Sequence, residues 1–277
     1  MALSVNTNIG AAAALQSLNA TNRQLETVQS RINTGLNVSS AKDDSAAYAI
    51  AQNLRGDLGG LRAVSSSLSR AKSVTDVAIA GAEQISDVVN SLKELAKKAS
   101  DTGISDDART TYNQQFESLR DQITTIVNSS SFNDTNLLKT SGGTISALQS
   151  LTAGDNLTLA NQALDLPTNE STGILGQDSK IDTAAKASAM EATLKTLSTA
   201  VGTSLSNLGA ASRKIDSQVV FTSKLSDTIE SGIGNLVDAD LAKESARLQA
   251  LQVKQQLGVQ ALSIANQAPQ TIISLFR

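Results

Sequence analysis

Asp43-Asp44 is the first place in this chain where residue types and spacing could do chemistry, as a pair of catalytic carboxylates. Acid–base work needs both groups aimed into one space, and adjacent helical residues point about 100° apart. No further acid, base or metal ligand is suggested beside them. The pair instead fits a helix start, completing a cap and available to a basic group of a neighbouring molecule. Gly232-Ile233-Gly234 has the glycine spacing that opens a dinucleotide-binding loop. It follows a helix and lacks the third glycine, so it reads as a bend between two helices. Asn128-Ser129-Ser130 is an Asn-x-Ser triplet of a kind that arises by chance in a chain this rich in Asn, Ser and Thr.

Composition removes most of the remaining chemistry. With no His there is no imidazole base or His-ligated metal, and with no Cys there is no thiol nucleophile, disulfide or thiolate site. We therefore assign no catalytic, cofactor-binding or metal residues and expect no enzyme. A formal net charge of -3 gives no basic footprint for nucleic acid. No apolar run approaches the length of a membrane span. Residues Met1 to Asn6 show neither a charged n-region nor an apolar h-region, so no cleavable signal is expected.

The elements are long helices. From Leu54, steps of seven reach Leu61, Leu68, Thr75, Ala82, Val89 and Ala96. A companion row reads Asp57, Val64, Ala71, Ala78, Ile85, Leu92 and Ala99. This a/d seam predicts a helix from about Asp44 to Ser100, roughly 85 Å long. Only two prolines, Pro167 and Pro269, stand anywhere in the 277 residues, so nothing interrupts it. Such a rod does not fit a compact globule of this size, and an elongated molecule is expected. A second seam runs through Leu194, Val201, Leu208, Ile215, Thr222, Ile229 and Leu236. A shorter helix between them carries Tyr112, Phe116, Leu119, Ile123 and Ile126, opened by Ser105 as N-cap with Asp106 and Asp107. Three antiparallel rods would close a bundle core. Aromatics are only 2% of the chain, which suits such narrow aliphatic seams.

Both chain ends carry thinner stripes. At the start, Ala11, Leu18, Leu25 and Ile32 are heptad-spaced, with Ala14, Thr21 and Val28 beside them. At the end the stripe is Val237, Leu241, Leu248, Leu251, Val259 and Leu262, interrupted by Gln255. So few apolar side chains cannot offset the conformational entropy of ordering both ends. The ends are expected to be largely disordered in the monomer and to fold against neighbouring copies. Between about Thr140 and Gln177 the character changes. Gly142-Gly143, Gly154-Asp155-Asn156, Pro167, Gly173 and Gly176 punctuate Thr144-Ile145 and Leu157-Thr158-Leu159, predicting one or two β-hairpins. Gly56, Gly59 and Gly60, inside the long helix, suggest a close approach or a change of packing.

The two ends resemble bacterial flagellins. Asn6-Thr7-Asn8, Ala14-Leu15-x-x-Leu18, Leu25-Glu26, Arg31-Ile32-x-x-Gly35, Ala41-x-Asp43-Asp44 and Ile50-Ala51-x-x-Leu54-Arg55 follow the family pattern. So do Asp238-Ala239-Asp240, Ala261-Leu262, Ala265-Asn266-Gln267-Ala268-Pro269-Gln270 and Ser274-Leu275. The resemblance covers roughly residues 1–140 and 180–277.

It implies a secreted structural subunit that polymerises into the extracellular flagellar filament for motility. Implied partners are other copies, the filament cap, hook–filament junction proteins, the flagellar type III export apparatus and a chaperone. The flagellin-related hook–filament junction protein is the alternative reading. On the family plan, 1–40 is an inner-tube helix and connector, 41–139 and 179–235 are the two halves of an outer-tube bundle, 140–178 is the hairpin segment, and 236–277 is the second inner-tube helix. The fold class is mainly α, an elongated bundle of coiled-coil-like helices with a small β-hairpin region. The assembly residues implied are Leu18, Leu25, Ile32, Leu248, Leu251 and Leu262 on the inner helices, with Asp43, Asp44 and Arg55 near the tube junction. About forty residues separate the helical halves, so a slim filament without large outer domains is expected. Ser91-Leu92-Lys93-Glu94-Leu95-Ala96 departs from the basic stretch read by the animal innate immune receptor at Ser91. The zinc protease inserted in some flagellins needs histidines, which this chain lacks.

Overall fold

The computed structural model describes residues 7–168 and 175–275, with 268–275 described by their backbone alone. Asn6 and Gly173 of the readings above lie outside the described residues. Among the described residues the order is α1 (Ile9–Thr34), α2 (Ser45–Ala99), α3 (Asp106–Ser129), β1 (Ile145–Leu148), β2 (Asn156–Leu159), α4 (Ala184–Val237) and α5 (Leu241–Leu275). The chain divides into two compact units, one from residues 1–58 and 227–277, the other from residues 59–226.

The second unit is built on the predicted seams. From Leu61 to Ala99 every residue of both α2 rows is at most 3% exposed. Leu194, Val201, Leu208 and Ile215 of α4 meet them, and Phe116 and Ile123 of α3 complete the core. Thr75 is tolerated in the seam because its hydroxyl donates to the Ala71 carbonyl at 2.8 Å. Ser105 caps α3 as predicted, accepting from the Ala108 N–H. The buried Arg109 turns back to the end of α2, donating to the carbonyls of Ala99 (3.1 Å) and Asp101 (2.9 Å). The Ala99 carbonyl is one of the acceptors that a helix terminus leaves without an internal partner.

One hairpin forms among the described residues, with Ala147 opposite Leu157 in an antiparallel register. That pair is buried against Val64, Leu68 and Ala71 of α2 and Ile215 of α4. The hairpin loop presses on Gly60, since a Cβ there would stand 2.5 Å from Leu151 Cδ2. Gly56 and Gly59 face open space, so of the close approach or change of packing expected at these glycines, the close approach is found at Gly60.

The first unit pairs α1 with α5 and joins them through two short connectors. Gly35 ends α1 in the left-handed region (φ 72°) with its N–H on the Arg31 carbonyl. The connectors then bond one another: Asn37 and Val38 donate to the Val237 carbonyl, and Ala239 donates to that of Gly35. Val38, Ala51, Ile233 and Val237 bury a small core behind them.

Two expectations about α4 need correction. Gly232-Ile233-Gly234 does not separate two helices; α4 runs through to Val237, and the break falls at Asp238 to Asp240. Burial of Ile233 and Val237 one turn apart holds that stretch helical despite its glycines. Leu236, the last residue of the second sevenfold row, is 36% exposed. A straight helix drifts about 20° per heptad against a sevenfold repeat, so by the sixth heptad Ile233 and Val237, which stand outside the row, hold the buried face.

Candidate functional site

The end-helix pair holds six of the nine residues singled out from the sequence. Each helix is started by a side chain. Asn8 Oδ1 accepts from the Ala11 N–H at 3.0 Å. Asp240 Oδ1 accepts from Ala242 and Lys243 at 3.0 and 3.1 Å. Within the pair Val28 and Leu251 are buried, at 1% and 4% exposure. Leu18, Leu25, Ile32, Leu248 and Leu262 are half-buried.

Three polar rungs fix the register. Arg31 Nη1 meets Glu244 Oε1 at 3.3 Å, Gln255 Nε2 donates to Asn22 Oδ1 at 2.9 Å, and Asn8 Nδ2 donates to the Ala265 carbonyl at 2.7 Å. As the α1 number falls from 31 to 8, the α5 number rises from 244 to 265, so the helices run antiparallel. Between rungs, Leu18 lies on Gly258, where a Cβ would come within 3.3 Å of Leu18 Cδ1.

The inner line of α5 is therefore Glu244, Leu248, Leu251, Gln255, Gly258, Leu262 and Ala265, in alternating steps of four and three. Gln255 is a member of the seam and not an interruption. Leu241 and Val259, read from the sequence as part of the stripe, are 49% and 54% exposed. Val259 follows Gly258 by one residue, which turns it about 100° away. Sequence reasoning missed Asn8, Asn22, Glu244 and Gln255 as rungs. The signal was present in the four-three spacing, but a search for apolar residues passes over polar members.

On the opposite side of α5, Val253, Leu257 and Ile264 are 55%, 57% and 68% exposed. They fall at i, i+4 and i+11, within about 40° of one another round the helix. Leu15 of α1 is 48% exposed. α5 thus has two apolar faces, and α1 covers only one. Fully burying side chains of this size stabilises by about 1.5–3 kcal/mol each.

The acidic pair lies at the start of α2. Asp44 Oδ1 caps it, accepting from Ala46 (2.9 Å) and Ala47 (3.0 Å). Asp43 Oδ2 gathers the preceding turn, accepting the amides of Ser39 and Ser40 and both hydroxyls at 3.0–3.2 Å. The Ser39 hydroxyl foremost, and then the Ser40 amide, hold the Asp43 carboxyl below the usual aspartate range. Arg55 is exposed, with its guanidinium 3.4 Å from Gln52 Oε1, and joins neither acid.

Residues 5–142 match the bacterial flagellin N-terminal helical region, and residues 189–276 the C-terminal one. The chain is 45% identical over 278 residues to Flagellin FljM of Caulobacter vibrioides, covering 99% of this chain and 98% of that one. To Flagellin FljK of the same organism it is 44% identical over 275 residues, with the same shares. To the flagellin of Brucella melitensis biotype 1 it is 36% identical over 281 residues, covering 99% of both.

Proposed function

From the premise that this chain belongs to the bacterial flagellin family, we infer that its end helices are the surfaces through which copies join. As a flagellin it is a structural subunit of the extracellular flagellar filament, and copies of it polymerise. Full-length flagellin relatives favour the filament subunit over the hook–filament junction protein. No helix among the described residues is long and apolar enough to cross a membrane.

The observation that carries the assembly role is the second apolar face of α5. A helix apolar on opposite sides is stable in water only when both are covered, and α1 covers one. In our reading neighbouring copies cover Val253, Leu257 and Ile264. The contact is heterologous, one surface meeting a different one on the next copy, so it propagates instead of closing a ring. Leu18, Leu25, Ile32, Leu248, Leu251 and Leu262 then act at one remove, by shaping the pair that presents this face. Asp43 and Asp44 act by ordering the connector and starting α2, and Arg55 offers a cation to the next copy. On the family plan residues 1–40 and 236–277 line the inner tube, 41–139 and 179–235 form the outer tube, and 140–178 is the hairpin segment. Export through the flagellar apparatus, escort by a chaperone, and contact with cap and junction proteins belong to the same reading. So does the absence of catalysis, which the lack of His and Cys supports.

Electron microscopy of Leu257→Asp after seeding with short filament fragments tests it. The variant should stay soluble and keep the helical content of the second unit, while the parent chain elongates seeds. Filaments of normal stability from Leu257→Asp would remove the outer face of α5 from assembly.

A further inference from the structure

Pro269 stands inside α5, and its ring nitrogen carries no hydrogen. In an α-helix the N–H at position 269 bonds the carbonyl at 265, so Ala265 is deprived of its helical donor. Asn8 Nδ2 supplies one at 2.7 Å, from 257 residues away in the chain. The same side chain's Oδ1 accepts from the Ala11 N–H and caps α1. Both halves of the Asn8 amide are thus in use, the oxygen for its own helix and the nitrogen for the partner helix. An N-cap alone does not require this residue type, because Asp and Ser cap equally well. The added requirement is a donor.

We propose that Asn8, Ala265 and Pro269 form a register lock, in which proline frees one carbonyl of α5 and Asn8 reads it. In an uninterrupted helix interior every carbonyl is already bonded. A pairing shifted by one turn would therefore offer Asn8 only a carbonyl already engaged by a helical N–H, whereas the proline marks the one rung whose carbonyl has no such donor. The lock lies at the far end of the pair from the Arg31–Glu244 rung, and the two together fix both ends of the register. Asn8 is a positioning residue, and its importance for the filament rests on the assembly reading above.

The test is a four-chain cycle: the parent, Asn8→Asp, Pro269→Ala and the double variant, each grown on filament seeds and heated until the filaments dissociate. Aspartate keeps the cap acceptor but cannot donate, and alanine at 269 returns an N–H to Ala265. Asn8→Asp is expected to lower the dissociation temperature by several degrees with Pro269 present, and by less than half as much with Pro269→Ala. Equal shifts in the two backgrounds overturn the lock. If the parent does not polymerise, the assembly reading fails, and the lock is read in the soluble chain. Leu18→Cys and Gly258→Cys are then added to all four chains and the rate of thiol closure is measured. Asn8→Asp should slow closure roughly fivefold with Pro269 and little without it. A rate unmoved by Asn8→Asp overturns the lock, and a parent chain that neither polymerises nor closes the bridge overturns both readings.

Discussion

Arg31 Nη1 reaches only one oxygen of Glu244: Oε1 is 3.3 Å away, while the buried Oε2 has no hydrogen-bond partner among the described residues. Removing the cation would strand a carboxylate inside the α1–α5 seam. Such a loss exceeds the worth of an exposed pair, because the remaining charge stays buried. Arg31→Ala is expected to weaken the end-helix pair by about 2 kcal/mol, seen as a lower filament dissociation temperature. Arg31→Ala combined with Glu244→Leu should recover part of that loss. A double variant no better than Arg31→Ala would show that the stranded charge is not the cause.

The Leu18–Gly258 contact allows a direct test of the pairing. A Cβ on Gly258 would stand 3.8 Å from the Leu18 Cβ, inside the range spanned by disulfides. The chain has no cysteine of its own, so Leu18→Cys with Gly258→Cys leaves only these two thiols. Mild oxidation of seeded filaments should yield an intrachain bridge, visible as a mobility shift without reductant. A Gln16→Cys, Gly258→Cys control should bridge far more slowly, because Gln16 is two residues away from the contact and exposed.

Two glycines in the second unit should respond in opposite directions to alanine. Gly59 lies inside α2 with nothing within 4 Å of its would-be Cβ, so Gly59→Ala gains helix propensity, about 1 kcal/mol. At Gly142 a Cβ would fall 1.7 Å from the Asn136 carbonyl oxygen. Asn136 is buried, with its amide on the Val127 carbonyl, so that loop cannot yield cheaply. Gly142→Ala should destabilise by about 2 kcal/mol or more. Thermal melts of the two variants give the comparison, and melting temperatures moving the same way would contradict it.

Protonating Asp43 should loosen the turn before α2. Its folded carboxyl titrates below the unfolded one, so its contribution is present above the ordinary aspartate range and lost as pH falls through the depressed value. Amide exchange at Ser39 and Ser40 is expected to lose protection, corrected for intrinsic rates, below about pH 4. In Asp43→Asn that pH-dependent step should disappear. A step that persists in the variant would belong to another acid.

The parts legible in the sequence were those that one helix decides for itself. The a/d rows of α2 predicted a helix over Asp44–Ser100, and the structure has Ser45–Ala99 with both rows buried from Leu61 onward. A narrow apolar row on an otherwise polar rod has one face to bury, so periodicity settles it. Ser105, Asp106 and Asp107 placed the start of α3 for a similar reason, since capping is chemistry between residues three apart.

α5 was less legible because apolar residues surround it. Leu241, Val253, Leu257, Val259 and Ile264 all compete with the true seam, and periodicity cannot rank two apolar faces of one helix. Pairing with α1 chose between them. It put the polar Glu244 and Gln255 inside and left Leu257 outside, because the rungs on Arg31 and Asn22 stand where α1 presents them.

By itself, the sequence determined the long helices, the caps of α2 and α3, the hairpin and the family to which the chain belongs. Each rests on spacing within a few dozen residues or on motifs in fixed order. Only the tertiary structure decided the register of the two ends and brought Asn8 to the carbonyl that Pro269 leaves free. That bond joins residues 257 positions apart, and no local pattern encodes a partner at such a distance.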